Sequence, residues 1–403
     1  MTSARVDPLE SEPPGLRRDG ITAAGYLVLA TWGWFLYGFG ALLPQLGRDQ
    51  GISRTLTGVH SVMMAIGALL AGVFAVPLVR ALRRRGVLRL GGLLVLSGTV
   101  LLVVGGAWTP VTLVALLIAG TGGSLLVNTA VTTMTAHHHE HGAAALSEAN
   151  AVAASCGLIA PLLVGAGIGV GLSWRPAILV TVPLVLAMFV LVARQPRETP
   201  ALDEQLPPRH GRAAPLPAAV WPAAAMVVAC VGVEFCLTNW SADLLREQVG
   251  FSAGAAAAGV SAVIGGMTLG RVVTGRLALR HSTRRLLLVA ILIALVGWAG
   301  TWLALSGWTA LLGLFVTGVG LGALYPLGTA IVLAAASGQR DQAAGVLSIG
   351  VGLAAGGGPF ALGALADASS THLAFLVVPV LLLTAIVLLL QSARLNRATP
   401  SVA

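Results

Sequence analysis

The sequence predicts an all-α membrane protein of twelve transmembrane helices arranged as two pseudo-symmetric six-helix bundles. Three observations lead there. The chain holds twelve apolar stretches, each near the roughly 20 residues that cross a bilayer at about 1.5 Å rise per residue. A polar, Pro-rich segment from Arg194 to Pro217 divides these stretches into six and six. Of 403 residues, 56% are hydrophobic and only 10% are charged, more apolar surface than a water-soluble core can hide, so lipid must cover much of it.

In chain order the sequence opens with a polar tail, residues 1–21, whose Pro8, Pro13, Pro14 and charges do not read as a signal peptide. The first bundle, 22–194, holds spans at 22–46, 56–79, 87–107, 109–135, 147–171 and 174–194. An Arg-rich loop around Val79–Gly86 separates the second span from the third. A cytoplasmic linker follows at 195–217, and six Pro between Arg194 and Pro217 keep it from being a regular helix throughout. The second bundle, 218–391, holds spans at 218–245, 254–278, 285–305, 308–335, 342–366 and 372–391, and a short tail, 392–403, closes the chain.

The halves echo one another. Arg276–Arg285 occupies the place that the Arg-rich loop has in the first half, and Pro359-Phe-Ala-Leu-Gly363 matches Pro161-Leu-Leu-Val-Gly165 in the fifth span of each. Such parallel repeats belong to a transporter architecture with an axis along the membrane normal. The many Gly read chiefly as close helix contacts. Three in a row, Gly356–Gly358, should weaken the eleventh span before Pro359.

All 24 basic residues are Arg. With the N-terminus placed inside, 19 fall in cytoplasmic segments, Arg271 lies within the eighth span and only Arg48, Arg54, Arg175 and Arg246 fall outside, which is the positive-inside pattern. The net charge of +9 therefore orients the chain in a membrane and is not read as a nucleic-acid surface. The expectation is a multi-pass protein of the cell inner membrane, monomeric, with both termini cytoplasmic and lipid around it. Cys156, Cys230 and Cys236 lie in spans and read as packing residues.

Polar groups retained inside the spans are the functional candidates, because each is costly in hydrocarbon. Glu234 is the only acidic residue near the middle of any span. It should be neutral, paired or facing a water-filled cavity, either as a substrate or proton site or as polar glue between helices. Asn239 lies about 140° round from Glu234 on a helix of 3.6 residues per turn, so only a broad face presents both. Trp240 reads as an anchor at the membrane surface or as a ring that stacks on a solute. Trp34 and Tyr37 in the first span, Gln45 at its end, Asn128 and Asn150 in the fourth and fifth, and Tyr325 beside Pro326 complete the candidate binding set. Glu148 and Arg271, on the fifth and eighth spans, are expected either to form an ion pair that latches the cytoplasmic side or to snorkel separately.

His137, His138, His139 and His141 with Glu140 have a metal-like composition, but fall in an expected solvated loop and are read as no metal site. No phosphate-binding loop, nucleophile elbow or thiol–metal spacing occurs, so the chain is not read as an enzyme and no cofactor is expected.

Four segments carry a family likeness: Leu42-Leu43-Pro44-Gln45, Val231-Gly-Val-Glu234-Phe-Cys-Leu-Thr-Asn-Trp240, Gly270-Arg271-Val-Val-Thr-Gly275 and Tyr325-Pro326. In these the chain resembles the major facilitator superfamily, and within it the fucose permease-like sugar transporters, which couple sugar to protons. The resemblance implies alternating access to a central site, here expected to be lined by spans 1, 4, 5, 7, 10 and 11. Two carboxylates of those permeases fall at Gly40 and Ser124 here, which cannot carry a proton. Either Glu234 couples transport to protons or coupling is absent. The expected substrate is a small organic solute, a sugar or sugar-like compound taken up through this site. The alternative is export of an amphipathic drug or natural product.

Overall fold

The computed structural model describes residues 18–138, 141–194, 215–336 and 338–398. Most of the expected linker, the first 17 residues and the last five lie outside that range. Among the described residues, eleven helical segments are long and apolar enough to cross a membrane.

Helix α1 (Gly20–Gln50) is capped by Asp19, whose side chain accepts from the Ile21 and Thr22 backbone N–H groups. It ends at Gly51, where φ of 64° suits a residue without Cβ. The next helix, α2 (Arg54–Val104), has 51 residues, about 75 Å at 1.5 Å each against about 30 Å of hydrocarbon. Its single non-helical residue, Arg83, has φ 57° and ψ 169° and folds the helix into two arms, the second and third expected spans. Gly67 on one arm and Gly98 on the other both press on α3 (Thr109–His138), near Thr121 and Ala119, positions on opposite faces of that helix, so α3 lies between the two arms. The expected Arg-rich loop is thus a sharp corner at one residue, because helical hydrogen bonding persists almost to the turn.

Helix α4 (Gly142–Gly169) is followed by α5 (Arg175–Leu179) and α6 (Thr181–Arg194), which together form the sixth span. The second half contains α7 (Val220–Val249), α8 (Ala253–Leu277), α9 (Thr283–Trp302), α10 (Gly307–Ala335) and α11 (Arg340–Ala368). It ends with α12 (Thr371–Ala374) and α13 (Val377–Ala398), so helix fills part of the expected C-terminal tail. Helix α11 runs unbroken through Gly356–Gly358 and Pro359. Two of those Gly work by contact: a Cβ at Gly356 would meet Ala65 at 2.8 Å, and one at Gly358 would meet the Gly232 carbonyl at 3.1 Å.

A further repeat appears in the turns. Gly51 and Ser53 join α1 to α2, and Gly250 and Ser252 join α7 to α8, with φ of 64° and 70° at the Gly and each Ser capping the following helix. Across the halves α1 packs on α7, α2 on α11 and α4 on α8. Counted as spans these are 1 with 7, 2 with 11 and 5 with 8, and exchanging the halves turns the second pair into the third. That relation is what a pseudo-two-fold axis requires. One end of the molecule carries Arg80–Arg89 and Arg276–Arg285, the basic end; the Gly–x–Ser turns lie at the opposite end.

Candidate functional site

A cavity of about 770 Å³ lies between the halves. It is lined by Trp32 and Leu36 of α1, the Ser61–Val73 stretch of α2, Ser124, Val127 and Asn128 of α3, Phe235 of α7, Tyr325 of α10 and the Gly345–Ala355 stretch of α11. As spans these are 1, 2, 4, 7, 10 and 11. The second span takes the place expected for the fifth, because α4 is held against α8. Among the described residues, no charged side chain lines the cavity, and hydroxyl and amide groups come only from Ser61, Ser124, Asn128, Tyr325 and Ser348. The lining reaches Val73, seven residues short of Arg80, and Gly345, five beyond Arg340, so the cavity extends toward the basic end.

Beyond its other end, α1 and α7 cross tightly. A Cβ at Gly40 would meet the Thr238 carbonyl at 2.7 Å and Asn239 Oδ1 at 2.8 Å. Asn239 is 3% exposed and donates from Nδ2 to Ser61 Oγ at 3.0 Å, tying α7 to α2. One turn away, the Tyr37 hydroxyl donates to Glu234 Oε1 over a long 3.4 Å. Arg271 of α8 interacts with the Tyr37 hydroxyl and electrostatically with Glu234. Tyr37, Glu234 and Arg271 thus join α1, α7 and α8 in one polar triad. Glu234 faces other helices, not lipid, and its neighbour Phe235 lines the cavity.

The opposite end is closed by charge. Asp243 of α7, with 7% of its side chain exposed, accepts from Arg48 of α1 and, at 3.1 Å, from Arg54 Nε of α2. Arg54 also pairs with Glu247. Asp367 of α11 accepts from the backbone N–H groups of Arg54 at 3.0 Å and Thr55 at 2.7 Å. Among the described residues, the ion pairs that join the halves all lie here. Sequence reasoning missed this cluster, although Arg48, Arg54, Asp243, Glu247 and Asp367 all sit at span ends on one side.

Several expected site residues lie elsewhere. Trp240 is fully buried and donates to the Pro359 carbonyl at 2.9 Å, so it neither anchors at the membrane surface nor meets a solute. Trp34 is buried and donates to the Ala177 carbonyl at 2.9 Å. Gln45 donates to Asp49 at 2.7 Å near the closed end. Asn150 returns its amide to Leu146 of its own helix at 2.8 Å and does not line the cavity. Of the expected set, Asn128 and Tyr325 reach the cavity directly.

The expected latch is not formed. Glu148 instead accepts from Arg18 at 2.6 and 2.9 Å and from the Tyr26 hydroxyl, all within the first half. Arg271 is half-buried and lies with Tyr37 and Glu234.

A membrane-embedded cavity between two related helical halves, closed at one end by cross-half ion pairs, defines a solute transporter. The profile of the Major Facilitator Superfamily matches residues 24–297 and 223–402, and the chain belongs to that family, whose members are transporters and not enzymes. Similar solved structures include the inward-facing, occupied bacterial homolog of the human lysosomal transporter Spinster, at 17% identity and TM-score 0.71, covering 96% of this chain and 100% of that one. The xylose transporter XylE from E. coli matches at 14% identity and TM-score 0.74, covering 93% and 98%. The E. coli fucose:proton symporter FucP matches at 17% identity and TM-score 0.63, covering 92% and 98%. At these identities the likeness concerns the fold. No curated protein sequence matches the chain.

Proposed function

We propose that this chain is a secondary transporter of a neutral or weakly charged amphipathic small molecule, working by alternating access through twelve spans in two bundles. The observation that carries the reading is the cavity lining: among the described residues, 20 line it, none charged and five with a hydroxyl or amide side chain. A sugar bears a hydroxyl on nearly every carbon, and each one buried without a partner costs about 1–3 kcal/mol. A mostly apolar solute with one or two polar groups loses far less, and Trp32, Phe235 and Tyr325 offer it flat apolar contact. This weighs against the sugar reading of the seventh-span motif, whose Asn239 and Trp240 are spent on helix packing.

With the basic end in the cytoplasm, as the positive-inside pattern favours, the cavity faces inward and the ion-paired end is the outer gate. Glu234 is the proposed proton carrier, with Tyr37 and Arg271 setting its charge state as the bundles move. No other partner is needed, and a monomer suffices. Thermal-shift screening of the purified protein against neutral sugars and against amphipathic compounds tests the substrate class, since a ligand that binds the folded state raises its melting temperature. Amphipathic compounds should stabilise it and sugars should not; the reverse result restores the sugar reading.

A further inference from the structure

Of the His-rich segment at the basic end, His139 and Glu140 lie outside the described residues. His137 and His138 lie on the last turn of α3, and Asp19 sits immediately before α1. One ligand atom from each of Asp19, His137 and His138 lies within 4.8 Å of the other two. His137 Nε2 meets Asp19 Oδ2 at 2.6 Å, and His138 Nε2 meets Thr22 Oγ1 at 2.7 Å. Division of labour within the carboxylate is informative. Oδ1 takes the helix cap, accepting from the Ile21 and Thr22 N–H groups and the Thr22 hydroxyl, while Oδ2 is turned to His137.

We infer that Asp19, His137 and His138 form a binding site for a zinc-like transition-metal dication. Two imidazoles and one carboxylate are a donor set that suits zinc and its neighbours; calcium or magnesium would need more oxygens. Tetrahedral zinc with bonds of about 2.0–2.1 Å places its donors about 3.3 Å apart. The widest present separation exceeds that by about 1.5 Å, and the hydrogen-bonded pair is closer than it, so side-chain rotation without backbone rearrangement brings the three donors together. The cap fixes the carboxylate's orientation, as outer-shell hydrogen bonds do for metal ligands. His141, the N-cap residue of α4, is near enough to act electrostatically on His138 and can supply a fourth donor, as can water.

A bound ion would tie the start of α1 to the end of α3, the helices that present Trp32 and Asn128 to the cavity. It would stiffen the first half at its basic end without bridging the halves, so it is a staple and not a gate.

The test is zinc titration by calorimetry on the full-length detergent-solubilised protein, purified without a His tag at neutral pH. One ion per chain should bind with micromolar or tighter affinity. Asp19→Asn keeps an N-cap of equal quality while removing the anionic donor, and it should weaken binding at least about tenfold while lowering the metal-free melting temperature only slightly. His137→Ala with His138→Ala should abolish the site, and His281→Ala, on the turn after α8, should leave it intact. Cobalt in place of zinc should give the visible absorption of a tetrahedral nitrogen–oxygen site, lost in the double variant. Absence of saturable zinc binding, or binding that survives the double His variant or Asp19→Asn at the original affinity, overturns the inference.

Discussion

Replacing Asp243 by Asn removes one charge, keeps the side chain's shape and should tip the resting state of the transporter. In the closed end the carboxylate is 7% exposed and holds Arg48 and Arg54 together. Removing one partner of a fully buried ion pair costs about 3–5 kcal/mol. Both arginines remain 35% exposed, so screening by water cuts that figure. A loss of about 1–2 kcal/mol is the reasonable remainder, which is a factor of about 5–30 in population. Once the end opens, all three groups are hydrated, so the loss falls almost wholly on the closed state.

The assay places a cysteine at Ser124, which lines the cavity, in a background with Cys156, Cys230 and Cys236 replaced. A membrane-impermeant maleimide then reads access from the ion-paired side. Asp243→Asn should raise the labelling rate about 5–30-fold. Glu247→Gln removes the other acidic partner of Arg54, 34% exposed, and should raise it about threefold or less. Equal effects from the two variants, or labelling of Asp243→Asn at the wild-type rate, would refute the view that Asp243 holds this end shut.

Three other outcomes are expected. Glu234→Gln should abolish substrate accumulation driven by a pH gradient in liposomes while leaving ligand binding and melting temperature near wild type; retained proton-driven accumulation removes Glu234 as the carrier. Gly270→Ala would set a Cβ 2.0 Å from the Val319 carbonyl on α10, where backbone cannot yield, and should cost about 1–3 kcal/mol in thermal unfolding. Gly275→Ala, on the same helix with nothing within 4 Å, should be neutral or stabilising by about 1 kcal/mol or less. Around Asp19, burial opposes the charge, but hydrogen bonds from Thr22 and His137 outweigh it and hold the carboxyl down from 3.8 to about 2. A lowered folded value means the stabilisation is complete above the unfolded pKa and is lost as pH falls from 3.8 toward about 2. Most of the group is solvated, so the effect is about 1 kcal/mol or less. Across that window Asp19→Asn should lose less melting temperature than wild type.

Spans were legible because hydrophobicity over about 20 residues is a property of the local chain. Helix ends were less so: α1 runs to Gln50 and α7 to Val249, past the expected ends, since a helix can leave the bilayer before a cap stops it. The Gly–x–Ser turns at Gly51 and Gly250 were available as a repeat signal and went unread. Among the candidate residues, Glu234 stood out by its cost in hydrocarbon and Tyr37 by its place among the aromatics of the first span, and the fold brings these two into contact. Trp240 and Asn239 were misjudged for one reason: sequence spacing gives the angle round α7, but not which neighbouring helix occupies that angle. Gly40, read only as a lost carboxylate, turns out to be the close approach that lets α1 press on the Asn239 side of α7.

That close approach bears on how a half-buried acid outside the cavity lining can still sense what is inside it. Leu36 and Phe235 line the cavity, and the next residue on α1 and the preceding one on α7 are Tyr37 and Glu234. A solute that displaces either apolar side chain moves the backbone carrying its polar neighbour. The Tyr37–Glu234 contact is already long at 3.4 Å, where hydrogen-bond strength changes steeply with geometry. Arg271, on the helix of the second half that packs against α4, reports motion between the halves to the same carboxylate. On the proposed reading of Glu234 as the proton carrier, substrate occupancy and bundle position would act on one acid through different partners, the arrangement a transporter needs if proton release is to await both. Substituting Leu36 or Phe235 by Ala should then loosen proton coupling as well as substrate binding, so that pH-driven accumulation falls further than equilibrium binding does.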